Sequence, residues 1–215
     1  SSVKYTSLIL VPVTMALMIL SKPMVGTLFG EKWTQAPLFL TLYIIDNLFV
    51  ILGSLTLGSL LAGIGETKMQ MELSLITLAI GIPLSLVFIP SMGIIGLIVT
   101  TIIASKPSLA VGLHWARKKY AVKMDIKSSM RILIASTIAA IVTLLAINFI
   151  AYADWVELGV GIFVFSVTYL IAAPTLGAIN KSDINNLKIM FLGLGIISKI
   201  INIPLNVMER LPNLT

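Results

Sequence analysis

Six long apolar runs constrain the fold of this chain more than any other feature of its sequence. Short polar stretches separate the runs, which lack the alternation of apolar and polar residues that outer-membrane strands show. Each run approaches the roughly 20 apolar residues that a helix needs to cross a bilayer. The runs span residues 5–20, 37–62, 73–90, 94–113, 132–152 and 156–178. The sequence therefore predicts an all-α, polytopic membrane helix bundle with about six transmembrane helices.

Composition excludes several other classes of protein. Hydrophobic residues make up 58% of the chain, charged residues only 11%, and the mean hydropathy is +1.04. Because soluble domains are about 25% charged, this chain cannot cover an ordinary soluble surface. There is no Cys and one His, which excludes a disulfide scaffold and a His/Cys metal centre. No catalytic motif occurs, so we expect neither enzymatic activity nor a cofactor.

The placement of basic residues predicts the orientation in the membrane. The net charge is +6, but the charges lie between apolar runs, which argues against a nucleic-acid partner. If the charged stretch 114–131 lies inside, twelve basic residues fall on that side and two on the other. The positive-inside rule then predicts that both ends are cytoplasmic. An alternative role for this stretch is binding of anionic lipid headgroups by its six basic residues, Arg117, Lys118, Lys119, Lys123, Lys127 and Arg131.

The sequence after the sixth run has a different character. We predict a bundle over residues 1–179 and a cytoplasmic amphipathic tail over 180–215, with a helix from about Lys181 to Asn202. Apolar residues recur there at spacings of three and four, which is typical of a helix lying in the membrane surface. These residues are Leu187, Met190, Leu194, Ile197 and Ile201.

Two charged residues stand inside apolar runs and are the candidate site. At 1.5 Å per residue, Asp46 lies ~14 Å and Lys106 ~18 Å into their helices, both from the outer side. A charge at the bilayer centre costs at least ~2.5–3.5 kcal/mol, so such residues usually face a cavity or a partner. One interpretation is that Lys106 extends to the inner interface while Asp46 is neutral or bonded to Asn47 or a Thr. The other is that both face a hydrated path and pair, where Pro107 bends the helix.

Three stretches resemble turns of a known family. Residues 28–36, Leu-Phe-Gly-Glu-Lys-Trp-Thr-Gln-Ala, resemble the "LFG-x-x-W/Y-x-x-A" turn of polysaccharide-biosynthesis flippases. Residues 61–68 are similar to that family's "A/G-x-G-x-T" hairpin, and residues 89–96 to its "IP-x-x-G-x-x-G" turn. The tail, around residues 179–187 and 204–209, is similar to archaeal members.

The resemblance implies a function and a larger whole. It implies transport of a lipid-linked oligosaccharide across the cell membrane by alternating access, with membrane lipids, the glycan substrate and an N-terminal lobe of the same longer chain as partners. The six runs would then be the last six of twelve to fourteen. Because the chain begins with Ser close to an apolar run, we expect it to be a piece of such a protein. A cation-coupled multidrug extruder of the same superfamily and a non-transporting membrane scaffold remain alternatives.

Overall fold

The computed structural model describes residues 2–30, 32–120, 125–149 and 153–191. All regular secondary structure in these ranges is helical, which confirms the predicted all-α fold. The helices are α1 Ser2–Ile19, α2 Ser21–Phe29, α3 Ala36–Ile44, the 3-10 helix η1 Ile45–Leu52, α4 Ser54–Gly63, α5 Thr67–Met92, α6 Ile94–Tyr120, α7 Ile126–Asn148, α8 Asp154–Thr175 and α9 Lys181–Phe191.

Four of the described helices, α5 to α8, are each long and apolar enough to cross a membrane. The first two predicted spans are instead broken: α1 and α2 meet at a bend of 70°, and the α3–η1 unit meets α4 at 63°. Six crossings result if each bent pair is one span. The chain is therefore a multi-pass membrane protein, with two spans less regular than the sequence predicted.

Local backbone chemistry accounts for both bends. Pro23 has no N–H to bond the carbonyl of Ile19, where α1 ends, so one hydrogen bond of a regular helix is missing at this turn. In the second pair, Gly53 adopts φ 83° and ψ 23°, a left-handed conformation that only glycine adopts without strain. A hydropathy profile does not predict either bend, because Pro23 and Gly53 lie within or beside apolar sequence.

Contacts along α8 show that the first bent pair still runs the length of the bundle. The Tyr169 hydroxyl donates to the carbonyl of Leu8 (3.1 Å), Gly161 packs against Leu20, and Gly26 packs against Asp154. Residue numbers therefore increase along α1–α2 in the direction in which they decrease along α8. The pair lies antiparallel to α8, from the end of the bundle that holds Lys4 to the end that holds Asp154; these are called the Lys4 end and the Asp154 end below.

The main core forms where α1 packs against α7 and η1, with α8 behind α7. The buried face of α7 consists largely of small residues, which allow two helix backbones to approach closely in a membrane. These are Ser129, Ala135, Ser136, Ala139, Ala140 and Thr143. A smaller core lies between α4, α5 and α6 and contains Leu57, Leu61, Met69 and Ala116.

Helix α9, Lys181–Phe191, is the described part of the helix that the sequence predicted in the tail, and its apolar residues pack on the bundle. Ile184 and Leu187 belong to the main core, with 1% and 3% of their surfaces exposed. Asp183 forms an ion pair with Lys4 of α1, and the Asn186 amide donates to the Tyr5 hydroxyl (2.9 Å). The first part of the tail therefore packs on α1. Leu194, Ile197 and Ile201 and the side chain of Met190 lie outside the described residues.

This docking predicts unequal effects of two alanine substitutions on α9. Leu187→Ala removes a buried side chain and should lower the free energy of unfolding by about 2–5 kcal/mol. Ile189→Ala, at a position that is 58% exposed, is the matched control and should change it by less than about 1 kcal/mol. Thermal unfolding in detergent micelles measures both. Equal small effects would mean that α9 does not pack on the bundle.

Candidate functional site

Asp46 and Lys106 form an ion pair between η1 and α6. Their side chains are 37% and 27% exposed, and the Lys106 Nζ lies 3.4 Å from the centroid of the Phe49 ring. An ammonium over an aromatic face gains a favourable cation–π interaction. Of the two interpretations of the sequence, the structure favours the paired one, because the Lys106 ammonium contacts Asp46 and Phe49 instead of extending toward the Lys4 end.

Neighbouring contacts place this pair near the middle of the bundle. Leu57 packs against Gly112 of α6, and Glu66 binds Lys119 and Tyr120 at the Lys4 end of α6. The α3–η1–α4 unit therefore runs parallel to α6, and Asp46 meets Lys106 at matching depth. Lys106 stands twelve residues from the start of α6, which corresponds to ~18 Å along its axis.

A cavity of about 260 Å³ adjoins the pair on the side of the Lys4 end. We call it the Gln70 cavity. Its polar lining comes from four helical elements: Asp46, Ser54, Gln70, Ser74, Thr77, Ser105, Lys106 and Ser108. Phe49, Gly58 and four leucines complete the wall: Leu57, Leu61, Leu73 and Leu109. A polar cavity among membrane-spanning helices is a typical feature of a pathway or a binding site.

Most of these polar residues were not singled out in the sequence. Gln70, Ser74 and Thr77 are four and three residues apart and thus share one face of α5. The hydroxyls of Thr77 and Ser108 lie 2.9 Å apart and join α5 to α6. The spacing of these polar residues within an apolar run could have predicted a polar helix face. A hydropathy average over the run does not show this spacing.

A second cavity, of about 100 Å³, adjoins Asp46 toward the Asp154 end. We call it the Tyr43 cavity. Its lining residues are Tyr43, Asp46, Asn47, Ile98, Thr101 and Ile102. The structure thus places Asn47, a predicted site residue, in a different cavity from Lys106, and only Asp46 contributes to both.

Pro107 does not interrupt α6, which runs as one helix from Ile94 to Tyr120. The predicted bend is therefore not a break in this helix. In membrane bundles such prolines are tolerated, because neighbouring groups and local adjustments compensate for the lost hydrogen bond. Pro107 therefore lies within one continuous helix, directly after Lys106.

The predicted charged loop consists largely of helix. Arg117, Lys118 and Lys119 form the last turn of α6, where cations interact favourably with the helix dipole. Lys127 is exposed in the first turn of α7, and Arg131 donates to the carbonyl of Gly177 (3.1 Å). Lys123 lies outside the described residues. The stretch is therefore a pair of helix ends rather than one long loop.

Two acidic residues organise this end of the bundle. Hydrogen bonds from Lys119 and Tyr120 lower the pKa of Glu66, which joins the start of α5 to the end of α6. Asp125 accepts hydrogen bonds from the hydroxyl (2.6 Å) and the backbone N–H (3.1 Å) of Ser128, which lower the pKa of Asp125 and cap α7. Both carboxylates thus act in structure, by fixing helix ends.

Comparison with known proteins adds no relative. No protein-family model, no curated protein and no solved structure matches the chain. Within the described ranges, no group of three acidic, His or Cys residues could hold a metal ion. The fold and its apolar helices define the class, a multi-pass α-helical membrane protein, and the motifs described above are the basis for any finer assignment.

Proposed function

We propose that the chain is part of a flippase that moves lipid-linked oligosaccharide or polysaccharide precursors across the cell membrane by alternating access. The observation that carries the proposal is the Asp46–Lys106 pair beside the Gln70 cavity, within membrane-spanning helices. Two charged side chains at this depth destabilise a membrane bundle, so they are rare in membrane spans unless they serve a function. A transporter needs such polar groups where its substrate passes.

The chemistry of the cavity fits a sugar headgroup. The charges of Asp46 and Lys106 cancel, and the remaining polar lining consists of hydroxyls and the amide of Gln70. Neutral donors and acceptors suit the hydroxyl groups of a glycan, and the ring of Phe49 offers an apolar face. The three sequence turns that resemble those of flippases support the same assignment.

Specific observations weigh against the alternatives. A cation-coupled extruder would be favoured by a cluster of carboxylates within the membrane. In the described spans, Asp46 is the one carboxylate near mid-depth, whereas Glu72, Asp154 and Glu157 lie close to helix ends. A scaffold without transport has no need of a polar cavity between its helices, so the Gln70 cavity supports transport over that role.

The proposal includes the orientation, with the Lys4 end cytoplasmic. Lys4, Lys119 and Arg131 all lie at that end, in agreement with the positive-inside rule. A reporter fused after Lys119 should give a cytoplasmic signal, and one inserted within residues 31–34 an external signal. The opposite pair of signals would reverse the orientation.

Reconstitution of the complete protein tests the transport function. Vesicles would carry a fluorescent polyprenyl-diphosphate oligosaccharide in both leaflets, with an impermeant quencher added outside. Flipping should bring the fluorescent lipid of the inner leaflet to the outer leaflet, where the quencher acts, so that nearly all fluorescence is lost. Protein-free vesicles should lose only the fluorescence of the outer leaflet. Loss limited to the outer leaflet, together with gradient-driven efflux of a cationic dye, would favour the extruder instead.

A further inference from the structure

The two cavities lie along one face of α6. Ile98, Thr101 and Ile102 line the Tyr43 cavity, and Ser105, Ser108 and Leu109 line the Gln70 cavity. Each of these positions has another member of the set three or four residues away. All six therefore lie on a single face of the helix. Their midpoints are about seven residues apart, which corresponds to roughly 10 Å along the axis.

The facing elements show the same order. Tyr43 and Asn47 line the Tyr43 cavity, while Leu57 and Leu61, further along the parallel α3–η1–α4 unit, line the Gln70 cavity. The cavities are therefore stacked along the direction of the membrane span, one toward each end of the bundle. Asp46 contributes to both, and its partner Lys106 stands at the same level.

The element that carries Asp46 is built differently from its neighbours. The 3-10 helix η1 extends over eight residues, whereas such helices rarely exceed three or four. The left-handed Gly53 follows it directly. Long 3-10 stretches within a span often mark hinges. Asp46 thus lies on a segment suited to move relative to α6, which holds Lys106.

We propose that the Asp46–Lys106 ion pair is the partition of a path for water and small ions that crosses this chain along α6, from the Tyr43 cavity to the Gln70 cavity. While the pair is formed, its two side chains lie between the cavities, with Asp46 lining both of them. When the pair separates, the cavities join. This path lies between helices of the chain itself, so the inference goes beyond the proposed function and does not depend on which solute the protein transports.

Residues 1–215 contain no Cys, so single cysteine substitutions can report on the path in a complete protein whose cysteines outside these residues have been replaced by Ser. Thr101→Cys reports on the Tyr43 cavity and Ser74→Cys on the Gln70 cavity. An impermeant thiol reagent would be added to either side of sealed membrane vesicles. With the native pair, Thr101→Cys should react only from the Asp154 side and Ser74→Cys only from the Lys4 side, each with background labelling from the far side.

Removing the pair should open both cavities to both sides. In Asp46→Ala, far-side labelling of each cysteine should rise from background to a rate comparable with near-side labelling. The charge-swapped protein, Asp46→Lys with Lys106→Asp, should restore one-sided labelling. Ala79→Cys, an exposed position on the face of α5 opposite to Gln70, Ser74 and Thr77, is the control and should stay unlabelled, because a thiol in hydrocarbon does not ionise.

Two results would overturn the inference. One is labelling of either cavity from both sides while the native pair is present, and the other is one-sided labelling that persists in Asp46→Ala with near-side rates unchanged. If Asp46→Ala leads to labelling of Ala79→Cys, the helices of that variant have separated, and Lys106→Ala then decides by the same criteria. Labelling needs no substrate, so this outcome is independent of whether a glycan is flipped.

Discussion

Replacing Lys106 by Met should lower the free energy of unfolding by about 2–4 kcal/mol, because Asp46 is left without its partner near the middle of the membrane. Breaking a fully buried pair costs about 3–5 kcal/mol, and the partial exposure of these side chains reduces that figure. Asp46→Asn should cost a similar amount. The double substitution should cost less than the sum of the two, since residues in contact give non-additive effects.

Chemical denaturation in detergent micelles measures this cycle. Lys118→Met, the same substitution in the exposed last turn of α6, is the control and should change stability by no more than about 0.5 kcal/mol. A double variant whose loss equals the sum of the single losses would show that the two charges do not interact.

Gly96→Ala should also destabilise the protein strongly. The backbone carbonyl of Phe88 in α5 occupies the place that a Cβ at residue 96 would take, so α5 and α6 would have to move apart. Overpacking typically costs about 1–3 kcal/mol, and the upper part of this range applies because backbone cannot rotate away as a side chain can.

The matched control is Gly159→Ala in α8, where no atom lies near the added methyl group. There the substitution should be neutral or stabilise by up to about 1 kcal/mol, since Ala favours a helix over Gly. Thermal unfolding of the two variants would give shifts of opposite sign or of very different size. A neutral Gly96→Ala would contradict the close contact between α5 and α6.

The same contact gives a physical reason for one of the sequence turns. Within residues 89–96, Gly93 adopts φ 58° at the turn between α5 and α6, and Gly96 allows the helices to touch. Both glycines of the "IP-x-x-G-x-x-G" pattern therefore have structural roles in this hairpin. The pattern consequently supports the hairpin geometry more directly than it supports a substrate.

Hydropathy predicted the spans and the depth of the charged pair, but not the shape of the first two spans. The positions of Asp46 and Lys106 could be compared because helices rise by a constant amount per residue. The bends at Leu20 and Gly53 depend on single backbone conformations within or beside apolar sequence, which a hydropathy average cannot detect. At Pro107, by contrast, α6 continues without a break.

The other differences also have physical causes. An amphipathic pattern shows that Leu187 needs an apolar environment, but not whether lipid or protein provides it, so the packing of α9 on α1 was missed. Serine and threonine are nearly neutral in hydropathy, so the hydroxyl lining of the Gln70 cavity emerged only when α5 and α6 were placed side by side.

The initial rate of glycan flipping by charge variants of the complete protein tests the central claim most directly. In the quenching assay, Asp46→Lys alone and Lys106→Asp alone should each abolish most of the flipping, because like charges then face each other at mid-depth. The swapped double variant restores an ion pair and should recover a substantial part of the native rate. Native rates in both single variants, at equal amounts of folded protein in the vesicles, would contradict the role of this pair in transport.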